Sequence, residues 1–129
     1  MEKIGIIGSG TWGTAIAVLL VNNGHEVTLW SAIPAEIEEM AKTRTHKNLP
    51  GVTLPEGLVY TADLEKAMAD KDLLVMAVPS VFVRSTAQKM KPFCKDGQLI
   101  VDVAKGIEEN TLDTMTQIIK EELPMAETA

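Results

Sequence analysis

The chain is poor in several things, and each shortage removes a class of protein. Cys94 is the only cysteine among 129 residues, so no internal disulfide can form, and a disulfide-stapled secreted scaffold is excluded. A reducing compartment, the cytoplasm, is the expected setting, with Cys94 read as a structural thiol. Positive charge is also scarce: 12 Lys and Arg stand against 18 Asp and Glu, a formal net charge of -6. General nucleic-acid binding needs a positive field, so none is expected, and any phosphate bound here must be held locally. No apolar run reaches the roughly 18 residues of a membrane span, and the N-terminus lacks the form of a signal peptide. The two histidines, His25 and His46, have no metal-ligand spacing and read as structural or surface residues, so no metal site is expected.

What is present points to one globular domain. Apolar residues make up 46% and charged residues 23%, close to globular averages, and a chain of this length can bury a sizeable core. "KIGIIG" (3 to 8) reads as a buried strand, "TAIAVLLVNNG" (14 to 24) as a helix with Ile16, Leu19, Leu20 and Asn23 on one face, and "HEVTLW" (25 to 30) as a second strand. A helix over 34 to 44 begins with a proline suited to its first turn, and a proline- and glycine-rich loop follows. "LVYT" is strand three, Asp63 caps a helix to about Asp70, and the apolar "DLLVMAVP" (72 to 79) is strand four. A helix over 80 to 91 closed by Pro92, strand five "QLIVDVA" (98 to 104) and a helix from a cap near Thr111 to Leu123 complete the pattern. The tail "MAETA" shows no partner. Strand and helix alternate throughout, which predicts an α/β fold, a doubly wound parallel sheet of the Rossmann type with strand order 3-2-1-4-5.

Gly8-Ser9-Gly10-Thr11-Trp12-Gly13 lies where the first strand gives way to the first helix. In that setting the three glycines serve different ends. Gly8 permits the tight turn, Gly10 lets backbone approach a pyrophosphate, and Gly13 lets the helix pack close to the sheet. The first free amides of the helix then face the anion, and its dipole favours the charge. Glycine-rich turns also arise for packing alone, but the strand before, the helix after and the second strand ending at Trp30 supply the context of a dinucleotide site. No Gly-Lys-Ser/Thr triplet follows, which sets aside a P-loop.

At the end of strand two, an acid would hold an adenosine ribose and an Arg would accept a 2'-phosphate. The chain has Trp30-Ser31-Ala32-Ile33 there, so NAD and NADP both stay open, with Ser31 a candidate hydroxyl contact. Three further features fall at the carboxyl ends of strands: Phe82 after "AVPS", Trp12 inside the glycine loop, and Lys105 followed by Gly106. A lysine at that position would have its charge over the crevice, free to meet a phosphate, a hydroxyl or a carbonyl.

"GSGTWGTAIA", "NGHEVTLW", "LPGVTLPEGL", "AVPS" and "KGIEENTL" stand in an order and spacing that resemble the NAD(P)-dependent glycerol-3-phosphate dehydrogenases over nearly the whole chain. The resemblance implies a cytoplasmic enzyme, a homodimer, that interconverts dihydroxyacetone phosphate and sn-glycerol 3-phosphate for phospholipid synthesis. It matches Gly8, Ser9, Gly10, Thr11, Trp12 and Gly13 to the pyrophosphate loop, Phe82 to an aromatic beside the cofactor, and Lys105 to a lysine contacting cofactor and substrate. Ala32 and Ile33 depart from it, since many bacterial members carry Arg and a basic or aromatic residue there. Residues 1–129 are thus expected to be the dinucleotide-binding domain, with a C-terminal domain holding a second lysine and the substrate-phosphate grip lying beyond them. Such a chain is expected to bind cofactor without turning over substrate. The competing expectations are another two-domain hydroxy-acid or hydroxyacyl dehydrogenase, and a non-catalytic nucleotide-binding module.

Overall fold

In the computed structural model, residues 1–104, 106–108, 111 and 113–129 are described. The order is β1 (Lys3–Ile7), α1 (Thr11–Asn22), β2 (Glu26–Trp30), α2 (Pro34–Thr43), β3 (Leu58–Thr61), α3 (Leu64–Met68), β4 (Leu73–Met76), α4 (Val83–Met90), β5 (Leu99–Asp102), α5 (Met115–Glu122) and β6 (Glu127–Thr128). The strands form one sheet in the order β3-β2-β1-β4-β5-β6, and every pairing is parallel. Parallel neighbours need crossovers, and the helices supply them on both faces.

Strand alternation divides the core in two. Ile4, Ile6, Val27, Leu29 and Val75 face α1 and α2, meeting Ala17, Ile37 and Met40. Their neighbours Ile7, Trp30, Leu74, Met76 and Ile100 face the other way, onto Ala67, Val83, Met90, Ile118 and Ile119 of α3, α4 and α5. Successive side chains of one strand thus serve opposite layers. This is why strand four reads as apolar throughout.

The predicted doubly wound order holds through β5, and four details differ. The tail does have a partner: β6 extends the sheet, with Glu127 N–H donating to Gln98 O, Asp102 N–H to Ala129 O and Ala129 N–H to Ile100 O. Those bonds are main chain only, so residue type carries no sign of them. On α1 the buried residues are Gly13, Thr14 and Ala17, whereas Leu19 is 59% exposed. The helix is apolar on all sides, and the close approach at Gly13, not hydrophobic periodicity, selects its inner face. The 80 to 91 segment is a 3₁₀ turn (Ser80–Phe82) before α4, and Pro92 lies inside a second one (Lys91–Phe93). Lastly, α5 begins at Met115 under a reciprocal cap, Thr114 with Gln117, later than Thr111.

One arginine gathers acids from both sides of that cap. Arg84 of α4 meets Glu108 at 2.8 Å, Glu122 at 2.7 Å, Glu121 at 3.4 Å and Asp113 at 3.5 Å. The guanidinium, with Thr111 adding a hydroxyl, holds the Glu108 carboxyl below its ordinary value of 4.5. A lowered carboxylate stabilises the fold above its unfolded value, and the contribution is lost as pH falls through the folded one. Replacing Arg84 with Met should therefore lower the melting temperature near neutral pH. The deficit should shrink below about pH 4, where the carboxylates take up protons, and melting curves across that range check it.

Candidate functional site

The carboxyl ends of β1, β4 and β5 open onto a cleft of about 700 Å³ lined by Gly10, Thr11, Trp12, Val78, Ser80 and Asp102 among others. Its floor is the turn that joins β1 to α1. Gly8 there has φ +127°, and a Cβ on it would sit 2.7 Å from the Ala77 carbonyl and the Val78 nitrogen. A Cβ on Gly13 would run into the Gly8 carbonyl oxygen, with the Ala77 side chain 3.2 Å away. Both positions need glycine for the fold itself.

Gly10 is different. A Cβ built there meets nothing within 4 Å, and its φ of -68° and ψ of -173° suit any residue. Packing gives no reason for a glycine at this point, whereas a ligand approaching from the cleft does. The helix start is equally bare: α1, like α4, has no side-chain cap and no acid in its first turn, while α3 and α5 are capped by Asp63 and Thr114. Uncapped first-turn amides beside an open cleft suit an anion.

The loop is held from behind by polar side chains. Ser9 is buried, and its carbonyl accepts from Thr14 Oγ1 at 3.0 Å and from His46 Nε2 at 2.9 Å. Peptide planarity then turns the Gly10 N–H the opposite way. The Ser9 hydroxyl donates to Glu36 Oε1 at 3.1 Å. His46 is buried, and its Nδ1 accepts from Asn48 N–H at 3.1 Å, so both ring contacts require the neutral ring with its proton on Nε2. His46 is structural, as the sequence suggests, but the structure it supports is the glycine loop. A lone histidine 37 residues from its acceptor leaves no pattern to read.

The other candidates separate. Trp12 is 74% exposed on the cleft wall. Phe82 is 55% exposed and is not among the cleft-lining residues. Ser31 is buried and spends its hydroxyl locally, accepting from Ile33 N–H at 3.1 Å. Lys105 lies outside the described residues. Asp102, which ends the apolar run of β5, belongs to no motif that marks it in the sequence; its carboxylate accepts from Ala104 N–H at 2.9 Å and Thr116 Oγ1 at 3.3 Å. Burial pushes this carboxyl up, against the pull of those two bonds. His25 stands at the opposite end of the sheet, where its Nδ1 accepts from Glu2 N–H. Cys94 is half-buried, and burial raises its thiol, which suits an unreactive side chain.

A sequence model described as the NAD-dependent glycerol-3-phosphate dehydrogenase N-terminus matches residues 3–129. The chain belongs to this family. Two similar glycerol-3-phosphate dehydrogenases [NAD(P)+] are those of Lactobacillus delbrueckii subsp. bulgaricus, 54% identical over 95% of the chain, and Agathobacter rectalis, 52% identical over all of it. The chain spans only 36% and 39% of their lengths. The crystal structure of the glycerol-3-phosphate dehydrogenase from Coxiella burnetii superposes with a TM-score of 0.91 at 27% identity, over 98% of this chain and 39% of that one. The fold described above is thus that of the matching part of a glycerol-3-phosphate dehydrogenase. Among the described residues no helix is long and apolar enough to cross a membrane, and no cluster of metal-binding side chains occurs.

The three glycines should respond differently to the same change. Gly8→Ala and Gly13→Ala should each destabilise the fold by about 1–3 kcal/mol through overpacking, whereas Gly10→Ala should stay within about 0.5 kcal/mol. Urea unfolding monitored by circular dichroism compares all three. Equal losses would remove the distinction.

Proposed function

We propose that residues 1–129 are the nicotinamide-dinucleotide-binding domain of a longer glycerol-3-phosphate dehydrogenase. The observation that carries the reading is Gly10, a glycine the protein's own packing does not require, set between two that it does. Gly10, Thr11, Trp12 and Gly13 offer backbone amides to the pyrophosphate, with Ser9 buried behind them. Trp12 covers the outer side of the cleft. Phe82 keeps the place beside the cofactor that the family resemblance gives it, while Ser31, a candidate by its position at the end of β2, turns its hydroxyl to the local turn.

A bound nicotinamide coenzyme would supply hydride to the ketone carbon of dihydroxyacetone phosphate or, in the reverse direction, take it from the carbinol carbon of glycerol 3-phosphate. The family resemblance gives Lys105 the part of meeting coenzyme and substrate, where its charge would polarise the carbonyl oxygen as negative charge builds there. The proton for that oxygen comes from the part of the enzyme beyond this chain. On this reading the enzyme works in the cytoplasm and supplies the phosphorylated glycerol backbone of phospholipids. A match that runs from residue 3 to residue 129 favours it over a hydroxyacyl dehydrogenase or a module without chemistry.

Titration with NADH, followed by nicotinamide fluorescence, should saturate. Gly10→Val should abolish that binding with the circular dichroism spectrum unchanged, and His46→Leu should weaken it about three- to tenfold by loosening the Ser9 carbonyl. Undiminished binding by Gly10→Val would refute the site. In the full-length enzyme, Lys105→Ala should lower kcat/KM by about a hundredfold or more, the scale of one electrostatic donor.

A further inference from the structure

The ends of β1 and β2 and the start of α2 carry a charge arrangement that the end of β2 alone does not reveal. Residues 31 to 33 offer neither an acid nor a base. The acid comes instead from the first turn of the next helix. Glu36 is half-buried there, and its Oε1 accepts from the Ser9 hydroxyl inside the glycine loop at 3.1 Å. This carboxylate stands 23 residues after Gly13, close to the interval at which dinucleotide folds present a ribose-binding acid. Its Oε2 has no partner among the described residues and is free to accept from a sugar hydroxyl.

Three neighbours argue against a phosphate in the same place. Pro34 is the first residue of α2, so one of the amides that an anion at a helix start would use is absent. His46 spends both ring nitrogens, on the Ser9 carbonyl and on the Asn48 N–H, and has neither to offer a phosphate. The adjoining cavity of about 340 Å³ is lined by Glu36, Glu39, His46 and Lys47 among others, two carboxylates against one exposed ammonium.

We propose that Glu36 selects the coenzyme: its carboxylate accepts from the adenosine ribose diol and repels a 2'-phosphate, so that the chain binds NAD(H) in preference to NADP(H). The inference rests on the dinucleotide site described above. A diol can donate two hydrogen bonds to a carboxylate, whereas a phosphate monoester donates at most one and carries like charge.

Paired titrations of NADH and NADPH against the chain, wild type and two variants, test it. The wild type should bind NADH about tenfold tighter than NADPH or better, the scale of one like-charge contact near a protein surface. Glu36→Gln keeps shape and removes charge, and should reduce that ratio about fivefold or more, with NADH weakened and NADPH strengthened. Lys47→Ala should leave the ratio within about twofold. NADPH binding as tight as NADH in the wild type overturns the proposal, as does an unchanged ratio in Glu36→Gln. A selective loss of NADPH in Lys47→Ala overturns it too, by making the lysine a phosphate site. Binding of neither coenzyme would overturn this inference together with the site, whereas tight NADPH alone would leave the site standing.

Discussion

The contact on which the rest depends is that of Gly13 with the Gly8 carbonyl. No side-chain carbon fits between them, so helix α1 reaches the end of strand β1 as closely as backbone allows. From that approach follow the inner face of α1, with Thr14 and Ala17 buried beside Gly13, and the opening of its first-turn amides toward the cleft. A methyl group at position 13 would push the helix outward. The amides, the Ser9 carbonyl and the Thr14 hydroxyl would then lose their common alignment.

That alignment is reinforced by groups whose bonding capacity is nearly spent. The Ser9 carbonyl has two lone pairs and two donors, from Thr14 and His46. His46 in turn has one proton to give and one lone pair to offer, and both are used. Closed sets of this kind hold a buried polar segment in one arrangement, because any rotation leaves a partner unsatisfied. The exceptions in this neighbourhood are the uncapped start of α1 and the second oxygen of Glu36. The places where polar capacity is left over are those where a ligand would complete it.

The alternation of strands and helices, the parallel order from β3 to β5 and the glycine turn are all legible in the sequence, because each leaves a local mark. Apolar β-branched runs mark doubly covered strands, and a glycine triplet at a strand-to-helix junction marks a close backbone approach. What the sequence leaves unmarked depends on long-range geometry. β6 is joined by main-chain bonds that any residue can make. His46 and Glu36 lie 37 and 27 residues from the serine they contact, and nothing in their own segments distinguishes them from surface residues. Ser31 is legible as a residue at the right strand end, but its hydroxyl serves the local turn.

The separation of the three glycines is what ties the fold to a function. A turn in which every glycine was demanded by packing would be explained by the fold alone, and a turn in which none was would leave the motif unexplained. Here two of three are fixed by contacts under 3 Å, while the third faces open space at the mouth of a cleft. Helices α3 and α5 satisfy their starts with Asp63 and Thr114. Like α1, α2 and α4 start without a side-chain cap, but α2 carries Glu36 in its first turn and α4 continues directly from the 3₁₀ turn Ser80–Phe82, whereas the start of α1 lines the open cleft. A missing side chain and a missing cap at the same point have one economical cause, an external group that requires both the room and the amides. The anion that fits must be compact at the loop and extended along the carboxyl edge of the sheet, since the cleft continues past Val78 and Ser80 to Asp102. A dinucleotide has that shape, whereas a free phosphate would leave most of the cleft unfilled.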